Sequence, residues 1–364
     1  MRLKFPNTID RFIIKRMISV TVLMLLLLVF IFIIIDFSEN SDDFSDRGAT
    51  ATEIWGNYYV HYIAEIIRLV SPVSLFVAAL LISGQLADRV EFIALKAAGV
   101  SLYRMSIPFI VVGIIAMTIV SYLDGFVVPY SNRERIKFER TYINRKSDRL
   151  DKSKLLRQTS TNSIIQINYF EPSSKIGYRI SMLDYKADSL VQLTEAARMQ
   201  FIDSLAVWRL FDITFRKFES DKIVEIKQTQ KDTILTIFPR DLSRTTADIF
   251  QLSYPEIVEY LESVERSGAG GLELPTVQFY SKLSYPFSIP IVIIIGLCLA
   301  SVRRKGGKGV YLAIGLGVSF LYLTTMKLFE PLGINGVLSP LYAATIPHLL
   351  FLFASIILMI KTKK

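Results

Sequence analysis

Residues suited to chemistry are few, and no familiar catalytic arrangement appears among them. The 364 residues include two histidines, His61 and His348, and one cysteine, Cys298. A single cysteine permits neither an intrachain disulfide nor a cysteine-built metal site, and two histidines are too few for most histidine-built centres. The sequence holds no HExxH and no GxSxG, so zinc-protease and serine-hydrolase readings lose their usual support. The GGKG at Gly306 to Gly309 lacks the preceding glycine of a phosphate loop and the Ser or Thr that would hold magnesium, and it reads as a turn. His348 lies inside an apolar run, where an ionisable residue is a functional candidate by default. With no carboxylate in that run, a packed or hydrogen-bonded neutral imidazole is preferred over a proton relay. No cofactor, metal or catalytic group is expected.

Two polar stretches offer recognition instead. The first, QLADRVEFIALKAAGVSLYRM from Gln85 to Met105, interrupts two long apolar runs. Asp88, Arg89, Glu91 and Lys96 are interleaved there with Val90, Phe92, Ile93, Ala94, Leu95 and Ala97, and Gly99 is placed to stop a helix. One reading is an amphipathic helix lying at the membrane surface. The other is a helix that docks into a groove on a partner, with Arg89 and Glu91 setting polar register and Phe92 and Leu95 as apolar anchors. In the second stretch, Arg133, Lys137 and Arg140 follow i, i+4, i+7 spacing and should share a helical face. That face is either a solvated juxtamembrane surface or a cationic rim for anionic lipid head groups, since guanidinium pairs well with phosphate.

The elements that must carry these stretches are membrane spans. The chain is 51% hydrophobic, and its apolar residues are gathered into blocks that approach the roughly 20 residues needed to cross a bilayer. A net charge of +9 invites a nucleic-acid reading, but the Lys and Arg residues cluster at the ends of these blocks, where they act as orientation signals. Arg2, Lys4, Arg11, Lys15 and Arg16 precede the uncharged run Met17 to Ile35, so the N-terminus is expected in the cytoplasm. The acidic DFSENSDDFSD follows on the outer side. Leu69 to Ala87 returns inward, and Met105 to Leu123 goes out again.

From Pro129 to the run beginning at Leu283 nothing is long and apolar enough to span, so a folded outer domain is expected. In it, Ile165, Ile167 and Tyr169 alternate with Gln166 and Asn168. Phe211, Ile213 and Phe215 alternate with Asp212, Thr214 and Arg216, and Val224 and Ile226 with Glu225 and Lys227. Period-two patterning predicts an antiparallel sandwich or roll with these apolar residues turned inward. SYPEIVEYLESVERSGAGG predicts a short helix, capped by Ser253 and stopped by the glycines. Leu283 to Val302 returns to the cytoplasm at Arg303, Arg304, Lys305 and Lys308. Gly309 to Met326 goes outward, and the last run ends at Ile360 before Lys361, Lys363 and Lys364. Both termini are then inside. The expected architecture is a polytopic α-helical membrane protein: spans 1 to 3 in residues 1–129 with a polar helix at about 85–101, a β domain in 130–276, and spans 4 to 6 in 277–364.

At this point the sequence resembles the LptF/LptG permease family of the lipopolysaccharide exporter of diderm bacteria, over essentially the whole chain. The resemblance rests on DRFIIKRM entering the first span, QLADRVEFIALKAAGVSLYRM, VVPYSN closing the third, YPEIVEYLESVERSG, and LPTVQFYSKLSYPFSIP entering the fourth. It leans toward the G-type subunit. The resemblance implies an inner-membrane permease subunit with a periplasmic β-jellyroll, paired with a paralogous permease. It also implies a cytoplasmic ATPase dimer engaging the helix of the first polar stretch, and a periplasmic bridge that receives lipopolysaccharide. Glu91 matches the family's acidic coupling position, and Asp88, Arg89, Phe92, Leu95, Lys96 and Gly99 fall in the same stretch. Some family members place lysines just after the first span, facing lipid phosphates; here that position reads IIDFSENSDD, which leaves Arg133, Lys137 and Arg140 as the candidate lipid-binding residues. The competing reading is a mechanotransmission or adaptor protein whose outer domain binds a partner without lipid passing through the spans. Such permeases commonly have four spans with the outer domain after the first. An intramembrane hydrolase is a third reading, with no recognisable pair of catalytic groups to support it.

Overall fold

The computed structural model describes residues 6–143, 155–160, 162–171, 174–186, 189–203, 205, 207–219, 222–235, 237–239, 242, 246–266, 272–301 and 307–362. Arg2, Lys4, Gly306, the Gly268 to Gly271 stop, Arg303 to Lys305, Lys363 and Lys364 lie outside the described residues, as do the side chains of Ile93, Lys96, Lys308 and Arg140. Contacts divide the chain into two compact units, Met1–Asn144 with Thr276–Lys364, and Arg145–Pro275.

The first unit is helical because each uncharged run must satisfy its own backbone polar groups in the bilayer, which a helix alone does within one segment. Among the described residues, six helices are long and apolar enough to cross a membrane: Thr8–Asp46, Ala51–Asp88, Leu102–Glu139, Glu273–Ala300, Gly309–Ile334 and Pro340–Thr362. Their burial is uneven. In the most apolar window of each, 72% of residues are buried for the second and fourth spans but 11% for the first, so the second and fourth form the centre and the first presents apolar surface outward. Ile13, Met17, Ile82, Leu86, Phe92, Leu102, Phe109, Ile293 and Leu297 make one buried cluster; Phe76, Leu80, Ile295, Tyr311 and Tyr322 make another. The fifth span approaches the second closely at Gly315, where a Cβ would lie 2.8 Å from a Leu80 methyl.

Two spans widen into π-helical turns, Ile54–Tyr59 in the second and Leu123–Val127 in the third. Such turns add a residue to the backbone circuit and re-aim side chains, and they recur at functional positions. Here they orient Tyr58, Tyr59 and Asp124 into the protein, where all three are buried. The third helix does not end near Pro129 but continues through Tyr142, so Arg133 and Lys137 stand on its extension within the helical unit.

The second unit carries a six-stranded antiparallel sheet: β1 (Leu155–Ser160), β2 (Ser163–Glu171), β3 (Ile176–Lys186), β4 (Ser189–Ile202), β5 (Val207–Glu219) and β6 (Lys222–Thr233). Strand order is sequential, so the described strands form a meander rather than crossing over as in a Greek key. Its core gathers Ile165, Ile167, Phe170, Ile180, Met199, Trp208, Leu210 and Ile213. The indole N–H of Trp208 donates to Ile237 O at 2.7 Å, which satisfies its polar handle without exposing it.

The alternation is not continuous. Buried positions step by three from Ile167 to Phe170 and from Leu210 to Ile213, with Ala196 to Met199 between them on β4. Across this row the pairing passes over Arg179 and Asp212, which take φ of 53° and 52°. Left-handed backbone at two non-glycine residues reverses the side-chain phase of their strands. Tyr169 and Phe211, expected to face inward, are therefore only half-buried, and Phe170 and Leu210 take their places; Val224 and Ile226, expected inward as well, are exposed on the edge strand β6.

Candidate functional site

The polar stretch between the second and third spans is not one helix from Gln85. The second span runs to Asp88, which is half-buried; Arg89 closes it, and Val90 takes φ 63°, an uncommon conformation for a β-branched residue. That reversal starts a separate connector helix, Glu91–Ala97. Gly99 at φ 80° ends it, with Val100 N–H donating to Leu95 O at 3.0 Å. Ser101 then caps the third span by accepting from Arg104 N–H at 3.3 Å.

The connector's faces are sharply divided. Phe92 is 2% exposed and packs with Leu86, Leu102 and Met105, and Leu95 packs against the same cluster. The sequence had suggested Phe92 as an anchor for a partner, but it anchors the connector to its own bundle instead, because the tight turn at Val90 swings the first helical turn inward. The free face carries Arg89, Val90, Glu91, Ala94, Ala97 and Ala98, all outside the core. Glu91 and Arg89 lie 3.9 Å apart with side chains 42% and 64% exposed, a pair that solvent screens and that either member can leave.

The foot of the first span packs beside the connector. Asn7 and Asp10 form a reciprocal capping box, with Asn7 N–H donating to Asp10 Oδ2 at 2.8 Å. Arg104 forks onto the same carboxylate, donating to Oδ1 at 2.9 Å and Oδ2 at 2.6 Å. Arg16 donates to the side-chain oxygen of Gln85 on the last turns of the second span.

At the opposite ends of the spans lies a buried ionic cluster. Asp124, 1% exposed, has Arg68 Nε at 3.7 Å and Lys282 Nζ at 4.0 Å from its Oδ1. The Arg68 guanidinium also lies 5.6 Å over the ring of Tyr285, whose hydroxyl donates to Leu69 O at 2.7 Å. Arg135 bonds Glu65 and sits 3.2 Å from Glu139, and Tyr58 donates to Asp36 at 3.0 Å. Helices two, three and four are thereby joined by charge as well as by packing.

The predicted cationic face is only partly visible. Arg133 is half-buried, while Lys137 is 69% exposed and paired with Glu134 at 2.6 Å. Among the described side chains of this stretch, Arg135, on a different face, is the most thoroughly built-in cation. His348 accepts or donates one hydrogen bond, to the Tyr322 hydroxyl at 2.6 Å, linking the fifth and sixth spans.

Comparison with known proteins matches residues 11–361 to the family described as lipopolysaccharide export system permease LptF/LptG. Two curated proteins, the lipopolysaccharide export system permease protein LptG of two Escherichia coli strains, are each 22% identical over 360 residues, covering 98% of this chain and 98% of the relative. LptG of Haemophilus influenzae is 19% identical over 349 residues, covering 95% of this chain and 96% of its own.

Proposed function

The chain belongs to the lipopolysaccharide export system permease LptF/LptG family, and from that premise we propose that it extracts lipopolysaccharide from the inner membrane, driven by a separate cytoplasmic ATPase that docks on the connector helix. All three relatives carry the LptG name, in keeping with a G-type subunit. The observation that carries the docking reading is the connector itself: a seven-residue helix whose aromatic side is fixed in the bundle and whose Glu91 side stands free. Glu91, Arg89 and the small residues Ala94, Ala97 and Ala98 form the contact, and Phe92 and Leu95 hold it rigid from beneath. The ATPase is a dimer, the second permease a paralogue, and the β unit passes lipid to a periplasmic bridge; both termini of this chain then face the cytoplasm.

Energetics requires such a partner. Each lipid methylene drawn into water costs about 0.8 kcal/mol, so a molecule with several acyl chains does not leave the bilayer unaided. The apolar face of the β-sheet offers shelter along the way, and Arg133, Lys137 and Arg140 attract the lipid's anionic groups at the outer ends of the spans. A Glu91→Ala chain tests the docking surface. Its complex should copurify with less ATPase and transfer less lipopolysaccharide; undiminished copurification together with normal transfer would remove Glu91 from the contact.

A further inference from the structure

We infer that Asp10 and Arg104 are positioning residues, a clasp that makes the foot of the first span move with the connector helix. The inference rests on the docking reading above and extends it: force received at the connector reaches the first span, not only the second and third between which the connector lies.

Arg104 is on the first turn of the third span, four residues beyond Val100, which closes the connector on Leu95 O. Its guanidinium reaches across 94 residues of sequence to Asp10 and meets both carboxylate oxygens. Asp10 is 3% exposed, and its Oδ2 also takes the Asn7 N–H, so the carboxylate is fixed to the start of the first helix while it is gripped by the third. A bidentate fork fixes direction as well as distance, which an apolar contact between sliding helices does not. Asn7, Ile9, Asp10 and Ile13 from the first span close around Leu95 and Val100 of the connector and Arg104 and Met105 beyond it. Ile13 and Met17, 2% and 0% exposed, share the buried cluster of Phe92. Arg16 adds a second tie, to Gln85.

Above this foot the first span touches the second on one side, where Val29 packs with Ile66 and Val70, and at its far end Phe44 packs with Tyr58 and Phe138; its other side is open. Only 11% of its most apolar window is buried, and Ile18, Leu23, Leu26 and Phe30 face outward. A rigid helix gripped at its base and packed on one side only carries rotation at the base up along the second span, against which it can turn. An apolar clasp would permit slip at that base, whereas breaking this fork leaves the buried Asp10 carboxylate without its partner.

The test uses the full complex purified from membranes, with three readouts: the amount of ATPase copurified, ATP turnover, and lipopolysaccharide transferred. Arg104→Ala should leave copurification and turnover within about twofold of the parent while transfer falls about fivefold or more, the size of an ordinary coupling free energy. Arg104→Lys, which keeps the charge and stem but loses the fork, should recover part of the transfer. Normal transfer by Arg104→Ala overturns the clasp, and so does loss of copurified ATPase in that variant, which would make Arg104 part of docking or folding. If Arg104→Ala does not accumulate in membranes, Asp10→Asn, which keeps the shape of the side chain, takes its place with the same expectations. Glu91→Ala run alongside separates the two ideas: it loses ATPase where the clasp variants keep it, and full retention there with normal transfer would defeat the docking reading instead.

Discussion

Asp124→Asn is the sharpest perturbation of the helical unit, because it removes one buried negative charge shared by the buried Lys282 and the partly buried Arg68. With an effective dielectric of about 20, a pair of unit charges 3.7 to 4.0 Å apart attracts by about 4 kcal/mol, so Arg68 and Lys282 together contribute about twice that. Taking the carboxylate out of water offsets much of this, and removing one partner of a buried ion pair costs about 3–5 kcal/mol. The exposed Lys137–Glu134 pair sets the contrast: it lies on the surface, and its loss should cost less than about 1 kcal/mol. Unfolding of the purified chain in mixed detergent micelles, followed by loss of helical circular dichroism, gives the comparison. Asp124→Asn should unfold at clearly lower denaturing-detergent fraction, while Lys137→Ala should not. Replacing all three members, with Arg68→Met and Lys282→Met added to Asp124→Asn, should recover stability, since an apolar substitute for a whole buried ionic group is often neutral or stabilising. A single substitution within about 0.5 kcal/mol of the parent, or a triple variant less stable than the single, would refute the idea that these charges hold one another.

Phe92→Ala should destabilise the bundle by about 3–5 kcal/mol in the same unfolding experiment, as for other buried aromatics, whereas Glu91→Ala should leave the midpoint unchanged; equal effects would mean that the two faces of the connector are misassigned. In the β unit, the Arg209 guanidinium holds the Asp232 carboxyl below its usual range, and Arg216 does the same to Glu225. A depressed folded-state value contributes stability above the unfolded value that is lost as pH falls through the folded one, so the β5–β6 pairing should loosen on acidification below about pH 4. Amide exchange along β6 reports this, and it should become insensitive to acid in Arg209→Gln with Arg216→Gln.

The spans were readable because a run of apolar residues long enough to cross a bilayer has few other uses. What the sequence hid was partly in view at their ends. Arg68, Asp124 and Lys282 each border an uncharged run, immediately before Leu69, after Leu123 and before Leu283, and served there merely as boundaries. Two cations and a carboxylate ending three spans at one depth is a signal of a shared cluster, but only once the spans are known to be neighbours. Arg104 and Arg16 border runs at the other end and were absorbed in the same way into the orientation signal, while Asp10 had no visible role. Arg133, Lys137 and Arg140 were grouped by helical spacing, which says nothing of the Glu65 that occupies Arg135 from 70 residues away. Phe92 was misdirected because the local pattern presumed one helix from Gln85, and the reversal at Val90 has no glycine to announce it. In the sheet, strict alternation placed Ile165, Ile167 and Ile213 correctly and failed at Tyr169 and Phe211, where the row through Arg179 and Asp212 shifts the phase, and at Val224 and Ile226, which are exposed on the edge strand β6. Neither residue type favours a positive φ strongly enough for sequence to mark the crease.

The central claim is that ATP hydrolysis on a partner, received at the connector helix, moves lipopolysaccharide out of the membrane through this chain. Vesicles carrying the purified complex and lipopolysaccharide, mixed with a soluble acceptor bearing a photocrosslinker, measure that directly. Crosslinked lipopolysaccharide should accumulate only with ATP and should fall in the Glu91→Ala complex. Accumulation at the same rate without ATP, or steady ATP turnover by the intact complex with no lipopolysaccharide reaching the acceptor, would contradict it.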